Sequence, residues 1–331
     1  MSKLRERDGG GFILIEFKNV SKKYGEDFAV EDVNFKVEEG EFFVIIGPSG
    51  CGKTTTLKMI NRLIPLTEGY IYFKGQPISG FPLYEMRWDI GYVLQQIALF
   101  PHMTIRENIA QVPEMKGWKN KDIDARVDEL LEMVGLEPGK FRERLPGELS
   151  GGQKQRVGVI RALAADPPVI LMDEPFSALD PISRESLQDD LIELQKKIKK
   201  TVVFVTHDIQ EALKMGDRIC LLNKGRVEQI GTPEEFLTRP ENDFVSDFIG
   251  DVDGYMMKRA TAADVVKILP AAEEDQPGDG PEVPHDADIN TLFKYFSSHD
   301  RVIIVGDGTR RSLSREELFK YLSGSESGDV R

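Results

Sequence analysis

The segment GPSGCGKT at residues 47–54 constrains this chain more than any other stretch of its sequence. It fits the pattern GxxxxGK[ST] and lies between the apolar run FFVII and the helix-like stretch TTTLKMINRL. Its glycines let the backbone turn tightly, so that N–H groups and a helix N-terminus face a phosphate. A chance glycine-rich turn would not also supply the strand, the lysine and the threonine at the right spacing. The pattern therefore predicts a phosphate-binding loop.

Each residue type in this loop has a predicted task. We expect Lys53 to reach the β- and γ-phosphates of a nucleotide and Thr54 to bind Mg²⁺. Cys51 is the least constrained position, and a small residue whose backbone matters is favoured over a reactive thiol. The predicted nucleotide-binding residues are Gly47, Pro48, Ser49, Gly50, Cys51, Gly52, Lys53, Thr54 and Thr55.

Two adjacent acids follow a second apolar run, in the segment VILMDEP. A buried strand that ends in unpaired carboxylates costs free energy unless a cation matches them, which disfavours the alternative of a merely solvated strand end. We therefore predict Asp173 as a Mg²⁺ ligand and Glu174 as the general base that acts on water.

A second glycine-rich helix start precedes the basic stretch KQRVGVIRALAA. It consists of Ser150, Gly151, Gly152 and Gln153, and such a helix start can hold phosphate. The lysine-bearing loop already provides one phosphate-binding helix start for the nucleotide of its own chain. The second helix start therefore suggests a role toward the nucleotide of a second chain. The alternative is an ordinary helix N-cap.

Composition excludes several classes of protein. The 331 residues carry a net charge of −13, which argues against a broad grip on nucleic acid. The two cysteines, Cys51 and Cys220, lack the spacing of a disulfide framework or a zinc site, and a reducing cytoplasm fits them best. The longest apolar runs are too short to span a bilayer, and the charged N-terminus does not resemble a secretory signal.

The periodicity predicts an α/β core with a helical insert. Apolar residues from about Trp88 to Leu163 follow helical spacing, and two apolar runs at 169–172 and 202–205 are joined by a helix of about 20 residues. After residue 250 we predict a loop at 271–284 and a small α/β appendage. In the appendage, Ser314 is the predicted N-cap of a helix, with Glu317 three residues on. Residues 323–331 are a predicted frayed tail.

Five motifs in order resemble those of ABC-transporter ATPases: the loop above, LSGGQ at 149–153, LMDEP at 171–175, SALD at 177–180 and VTHD at 205–208. The resemblance covers residues 12–247. It implies a P-loop NTPase domain with a mixed sheet core and a helical subdomain at about 90–165, acting with ATP and Mg²⁺.

The resemblance also implies roles for single residues. Tyr24 matches the aromatic residue that stacks on adenine, and His207 the switch histidine that contacts the γ-phosphate. Gln95 matches the glutamine that binds Mg²⁺ and water, although Gln96 beside it leaves this assignment open by one position. Asp180 matches the acid of the D-loop, which crosses a head-to-tail homodimer. Each ATP would then lie between the loop of one chain and the LSGGQ segment of the other.

The longer stretches, such as QQIALFPHMTIRENI, resemble ATPase subunits of quaternary-amine importers for glycine betaine, carnitine or choline. The resemblance implies permease subunits and a substrate-binding protein as partners, at the cytoplasmic face of the membrane. Residues 259–322 are a predicted CBS-like, truncated regulatory domain, in which only the stretch from about 286 to 322 resembles a CBS half-motif. The alternative is a plain structural tail. The alternatives are the ATPase of another small-solute importer, an exporter ATPase, a soluble ABC protein of repair or translation, and a decayed binding module.

Overall fold

The computed structural model describes residues 12–177, 179–250, 262–268, 280–287, 289–306 and 309–322. The chain divides into two compact units, residues 1–249 and 250–331. Every helix in the described ranges is too short or too polar to cross a bilayer.

The first unit alternates strands and helices along the chain. Its strands are β1 (Ile13–Tyr24), β2 (Asp27–Glu38), β3 (Phe42–Ile46), β4 (Glu68–Phe73), β5 (Gln76–Pro77), β6 (Ile90–Val93), β7 (Val169–Asp173), β8 (Thr201–Val205), β9 (Arg218–Asn223) and β10 (Arg226–Gly231). Its α-helices are α1 (Lys53–Ile60), α2 (Leu83–Trp88), α3 (Ile105–Met115), α4 (Asn120–Met133), α5 (Pro138–Phe141), α6 (Gly151–Leu163), α7 (Pro181–Ile198), α8 (Ile209–Met215), α9 (Pro233–Thr238) and α10 (Asp243–Ile249).

These strands form two sheets. The smaller sheet is antiparallel and has the order β2-β1-β4-β5. The larger sheet has the order β10-β9-β3-β8-β7-β6, and only β10 runs antiparallel to its neighbour. Every residue of β3, β7 and β8 is buried, as expected for the central strands of a sheet covered on both faces. The predicted α/β class with a mixed sheet is confirmed.

The helical insert differs from its prediction at its start. The helical spacing predicted from about Trp88 is wrong for residues 90–93, which form β6 beside β7. A four-residue strand carries too little periodicity to be distinguished from helix without its partner. Helices α3 to α6 follow, and α4 buries one predicted face, made of Ile123, Val127, Leu130 and Leu131, with Val134 just beyond its end.

Within its described residues, the second unit has a small sheet and three helices. The strands are β11 (Glu282–Pro284), β12 (Arg301–Gly306) and β13 (Thr309–Ser314), and the helices are α11 (Ala262–Ile268), α12 (Ile289–Phe296) and α13 (Arg315–Leu322). The loop prediction is wrong for 282–284, because β11 pairs parallel with β12, a partner that is distant in sequence. Residues 271–279 and the predicted tail at 323–331 lie outside the described residues.

A local prediction in this unit is confirmed at the start of α13. The Ser314 hydroxyl accepts a hydrogen bond from the Glu317 N–H at 3.2 Å, and the Glu317 carboxylate accepts one from the Ser314 N–H at 2.7 Å. This reciprocal pair satisfies two backbone donors at the helix start. The core below it is apolar and includes Val283, Leu292, Val302, Ile304 and Leu313.

Candidate functional site

The predicted phosphate-binding loop lies at the carboxyl end of β3 and leads directly into α1. Gly47 packs so closely on β9 that a Cβ atom there would lie 2.0 Å from the Leu222 carbonyl oxygen. The Lys53 ammonium donates to the Gly47 and Pro48 carbonyls, at 2.7 and 3.0 Å. The lysine is buried and its amine therefore lies inside the turn that its own backbone makes, where a bound phosphate would meet it.

Cys51 contributes its backbone to this loop. Its carbonyl accepts a hydrogen bond from the Gly225 N–H at 3.1 Å, which ties the loop to the turn after β9. Its side chain is buried, and burial raises the pKa of the Cys51 thiol. A thiol kept protonated is a poor nucleophile, so the geometry agrees with a residue that serves through its backbone.

Asp173 lies at the end of β7, next to the start of α1. Its carboxylate accepts a hydrogen bond from the Thr54 hydroxyl at 2.8 Å and another from the Tyr92 hydroxyl at 3.3 Å. The Lys58 ammonium lies 3.9 Å away. Only 3 % of Asp173 is exposed, so these partners offset the cost of burying its carboxylate.

Sequence reasoning missed Tyr92 and Lys58. Burial, and then the charge of Asp173, raise the pKa of Tyr92, so its hydroxyl stays a donor. The signal that could have found Tyr92 is its place near the end of β6, because adjacent parallel strands bring their carboxyl ends to one edge.

Glu174 gathers two other predicted residues. Its Oε2 accepts from the Gln95 amide at 3.3 Å and lies 3.1 Å from His207 Nδ1. Its backbone is left-handed, with φ 44°, and its N–H donates to the Val205 carbonyl at 2.9 Å. A non-glycine residue rarely adopts this conformation, which points to a functional position.

The two neighbouring glutamines differ in position. Gln95 contacts Glu174, whereas Gln96 lines a separate cavity together with Val93, Gln155 and Arg161. Of the two, only Gln95 is brought to the candidate site by its side-chain contact.

The other predicted residues lie at the ends of helices and strands. Ser150 and Gln153 form a reciprocal capping box at the exposed start of α6, with Gly151 and Gly152 as its first residues. The Asp180 carboxylate accepts from the Ser183 N–H at 3.0 Å as N-cap of α7. Tyr24 is 53 % exposed at the end of β1, with the Lys22 ammonium 4.9 Å from its ring centroid.

The donor atoms at Thr54 and Asp173 suit Mg²⁺. This ion takes oxygen ligands in an octahedral shell and is usually held by one or two protein groups, with phosphate and water completing the shell. Within the described ranges, no cluster of three or more His, Cys, Asp or Glu side chains could hold a metal by itself. A hydroxyl and a carboxylate 2.8 Å apart beside a phosphate loop match a Mg²⁺ site with two protein groups.

Comparison with known proteins gives one consistent result. The family model described as ABC transporter matches residues 30–177. The osmoprotectant import ATP-binding protein OsmV of Salmonella typhimurium is 53 % identical over 309 residues, covering 91 % of this chain and 78 % of that protein. The glycine betaine/carnitine/choline transport ATP-binding protein OpuCA of Bacillus subtilis is 52 % identical over 238 residues, covering 72 % of this chain.

This chain spans 62 % of the length of the Bacillus protein, less than two thirds. Among solved structures, a dimeric, post-hydrolysis ATP-binding cassette, MJ0796 bound to ADP and Pi, is 39 % identical with a TM-score of 0.59. That match covers 66 % of this chain and 99 % of the other.

Proposed function

This chain belongs to the ABC transporter family, and we propose that it is the ATP-hydrolysing subunit of an importer for quaternary amines such as glycine betaine, carnitine and choline. One observation carries the hydrolytic half of the proposal. The ends of β3, β7 and β8 bring a phosphate loop, a buried acid, a second acid and a histidine to one edge of the sheet.

ATP binding is the task of the loop at 47–55. Lys53 turns its ammonium from the Gly47 and Pro48 carbonyls to the β- and γ-phosphates, and the N–H groups at the start of α1 face the same charge. Tyr24 stacks on the adenine, and its exposed ring supports this role.

Thr54, Asp173 and Gln95 would hold Mg²⁺, which would neutralise charge on the phosphates. Tyr92 keeps the Asp173 carboxylate oriented by donating its hydroxyl proton to it. This is a positioning contact, because Tyr92 acts through the Asp173 carboxylate.

Glu174 acts on water as the general base. A water oxygen forms a bond to the γ-phosphorus, the bond from that phosphorus to the bridging oxygen of ADP breaks, and Glu174 accepts a proton from the water. His207 and Gln95 already contact this carboxylate and limit its orientations. His207 contacts the γ-phosphate from the same side.

A second copy of the chain completes the site. The exposed helix start at Ser150–Gln153 presents N–H groups and a positive helix end, and it faces the nucleotide of the partner in a head-to-tail dimer. Asp180 crosses the same interface. A dimeric cassette among the similar solved structures supports this arrangement.

Permease subunits and a substrate-binding protein are the further partners, and the chain works at the cytoplasmic face of the membrane. The names of the two relatives support osmoprotectant import. We propose that residues 259–322 are a CBS-like, truncated regulatory domain. The match to the Salmonella protein covers 91 % of this chain and so extends into the second unit. An ATPase rate that changes with ionic strength in the full chain would support a sensor there.

Uptake by whole cells tests the solute class. We expect cells that lack the gene to lose osmotically stimulated uptake of radiolabelled glycine betaine, carnitine or choline. The wild-type gene should restore it, and a gene with Lys53→Ala should not. Unchanged uptake of all three in the deletion strain, with other osmoprotectant transporters also deleted, would contradict the quaternary-amine assignment and leave the ATPase assignment intact.

A further inference from the structure

Glu211 is a buried carboxylate that the hydrolytic scheme does not use. It lies in the first turn of α8 and is only 5 % exposed. Its Oε2 accepts from the Thr206 hydroxyl at 2.6 Å, and its Oε1 accepts from the Gln188 amide at 3.3 Å. Burial raises the pKa of Glu211, and the Thr206 hydrogen bond opposes that shift. One buried carboxylate thus joins the loop after β8 to helix α7.

The Thr206 contact fixes the residue next to the histidine of the site. Thr206 follows β8 directly, and its N–H donates to the Ile45 carbonyl at the end of β3. Its hydroxyl donates to Glu211 and also accepts from the Asp208 N–H at 3.0 Å. His207 is therefore flanked on both sides by residues held through one hydroxyl.

The Gln188 contact lies on α7, two turns in from the start of the helix. This helix begins directly after Asp180, and one turn in from its start Arg184 donates to the Leu179 carbonyl at 3.3 Å. The other guanidinium nitrogen of Arg184 lies 3.8 Å from the Asp208 carboxylate. Side-chain contacts therefore connect the first turns of α7 with the residues around His207, and the contact through Glu211 is the buried one.

We propose that Glu211 is a positioning residue for ATP hydrolysis that holds the His207 segment in a fixed arrangement with α7, the helix that begins directly after Asp180. The proposal rests on the proposed function, since it requires that His207 and Asp180 serve ATP turnover. The carboxylate suits this task because one oxygen accepts from Thr206, in the loop after β8, and the other accepts from Gln188, on α7. Removing the carboxylate takes the shared partner from both.

Two substitutions break the link without changing side-chain volume much. In Glu211→Gln one acceptor oxygen is replaced by an amide NH₂ group, which only donates. If this group faces the Gln188 amide, two donors meet. If it faces Thr206, the hydroxyl must accept the hydrogen bond that it now donates. Thr206→Val removes the hydroxyl and keeps the shape, whereas Thr206→Ser keeps the hydroxyl. Glu193→Gln makes the same charge change at an exposed position on α7 and is the matched control.

The measurement is steady-state phosphate release by the full chain, normalised to the fraction that binds ATP. We expect Glu211→Gln and Thr206→Val to lower kcat by about tenfold or more, as misplacement of a reacting group does. The KM for ATP should stay within about twofold of the wild-type value, because the loop at 47–55 is untouched. Thr206→Ser and Glu193→Gln should keep the wild-type kcat.

Wild-type kcat in Glu211→Gln and Thr206→Val would overturn the proposal, as would an equal loss in Thr206→Ser. If Glu211→Gln does not fold, the Thr206 pair decides the question by itself. A wild-type chain without phosphate release would overturn the proposed function as well, whereas active wild type with insensitive variants would overturn the positioning role alone.

Discussion

The two halves of the candidate site are built in different ways. The phosphate loop is contiguous, and the Lys53 ammonium contacts carbonyls six and five residues before it in the chain. The hydrolytic half is assembled from strand ends, with Glu174 79 residues from Gln95 and 33 residues from His207. A site of the first kind needs one correct turn, whereas one of the second kind needs the whole sheet. We expect binding and hydrolysis to be separable by mutation for this reason.

The largest expected effect on stability comes from Gly47→Ala, which tests whether the loop is independent of the sheet. A Cβ atom there would lie 2.0 Å from the Leu222 carbonyl, a backbone atom of β9 that cannot move aside. We expect Gly47→Ala to lower the free energy of unfolding by about 3 kcal/mol or more, measured by denaturant titration. The contiguous loop thus also depends on a distant strand.

Gly50→Ala is the matched control. Gly50 has a positive φ of 78°, but a Cβ atom there would meet nothing within 4 Å. We expect a loss of about 1 kcal/mol from backbone strain alone. Equal losses in both variants would show that the contact with β9 contributes nothing.

The next effect isolates binding. Lys53→Ala removes the ammonium from the loop, and loss of charge-assisted hydrogen bonds to phosphate should weaken ATP affinity by about thirtyfold to a hundredfold. Isothermal titration with ATP measures it. Lys121→Ala, at an exposed position on α4, should bind as the wild type does. Unchanged affinity in Lys53→Ala would mean that the phosphates of ATP do not bind at the Lys53 ammonium.

The smallest effect concerns a residue between the two halves. Tyr92→Phe removes the hydroxyl that donates to Asp173 at 3.3 Å. We expect the Mg²⁺ concentration that gives half-maximal ATPase to rise about fivefold, the worth of one neutral donor. Tyr84, which is 69 % exposed, provides the control Tyr84→Phe. No change in Tyr92→Phe would mean that Asp173 keeps its orientation without the tyrosine.

The same contrast explains what the sequence could predict. Local sequence predicts the phosphate loop, Asp173 and Glu174, because in each case the site residues directly follow an apolar strand. The choice between Gln95 and Gln96 stayed open, because only the contact with Glu174 separates them. Tyr92 and Glu211 were not predicted, since their relevant partners lie on other elements.

The sequence did not predict two short strands, for the same physical reason. β6 and β11 have four and three residues, and each gains its backbone hydrogen bonds from a strand that is distant along the chain. Local periodicity cannot record such a partner. The helix start at Ser314, whose hydrogen bonds are made within three residues, was predicted correctly.

One measurement tests the separation of the two halves most directly: ATP binding and phosphate release determined on the same preparation of Glu174→Gln. The account predicts wild-type affinity for ATP, phosphate release lowered by about a thousandfold or more, and a chain that accumulates as an ATP-bound dimer. Phosphate release near the wild-type rate would contradict it, because the carboxylate that gathers Gln95 and His207 would then not be the base.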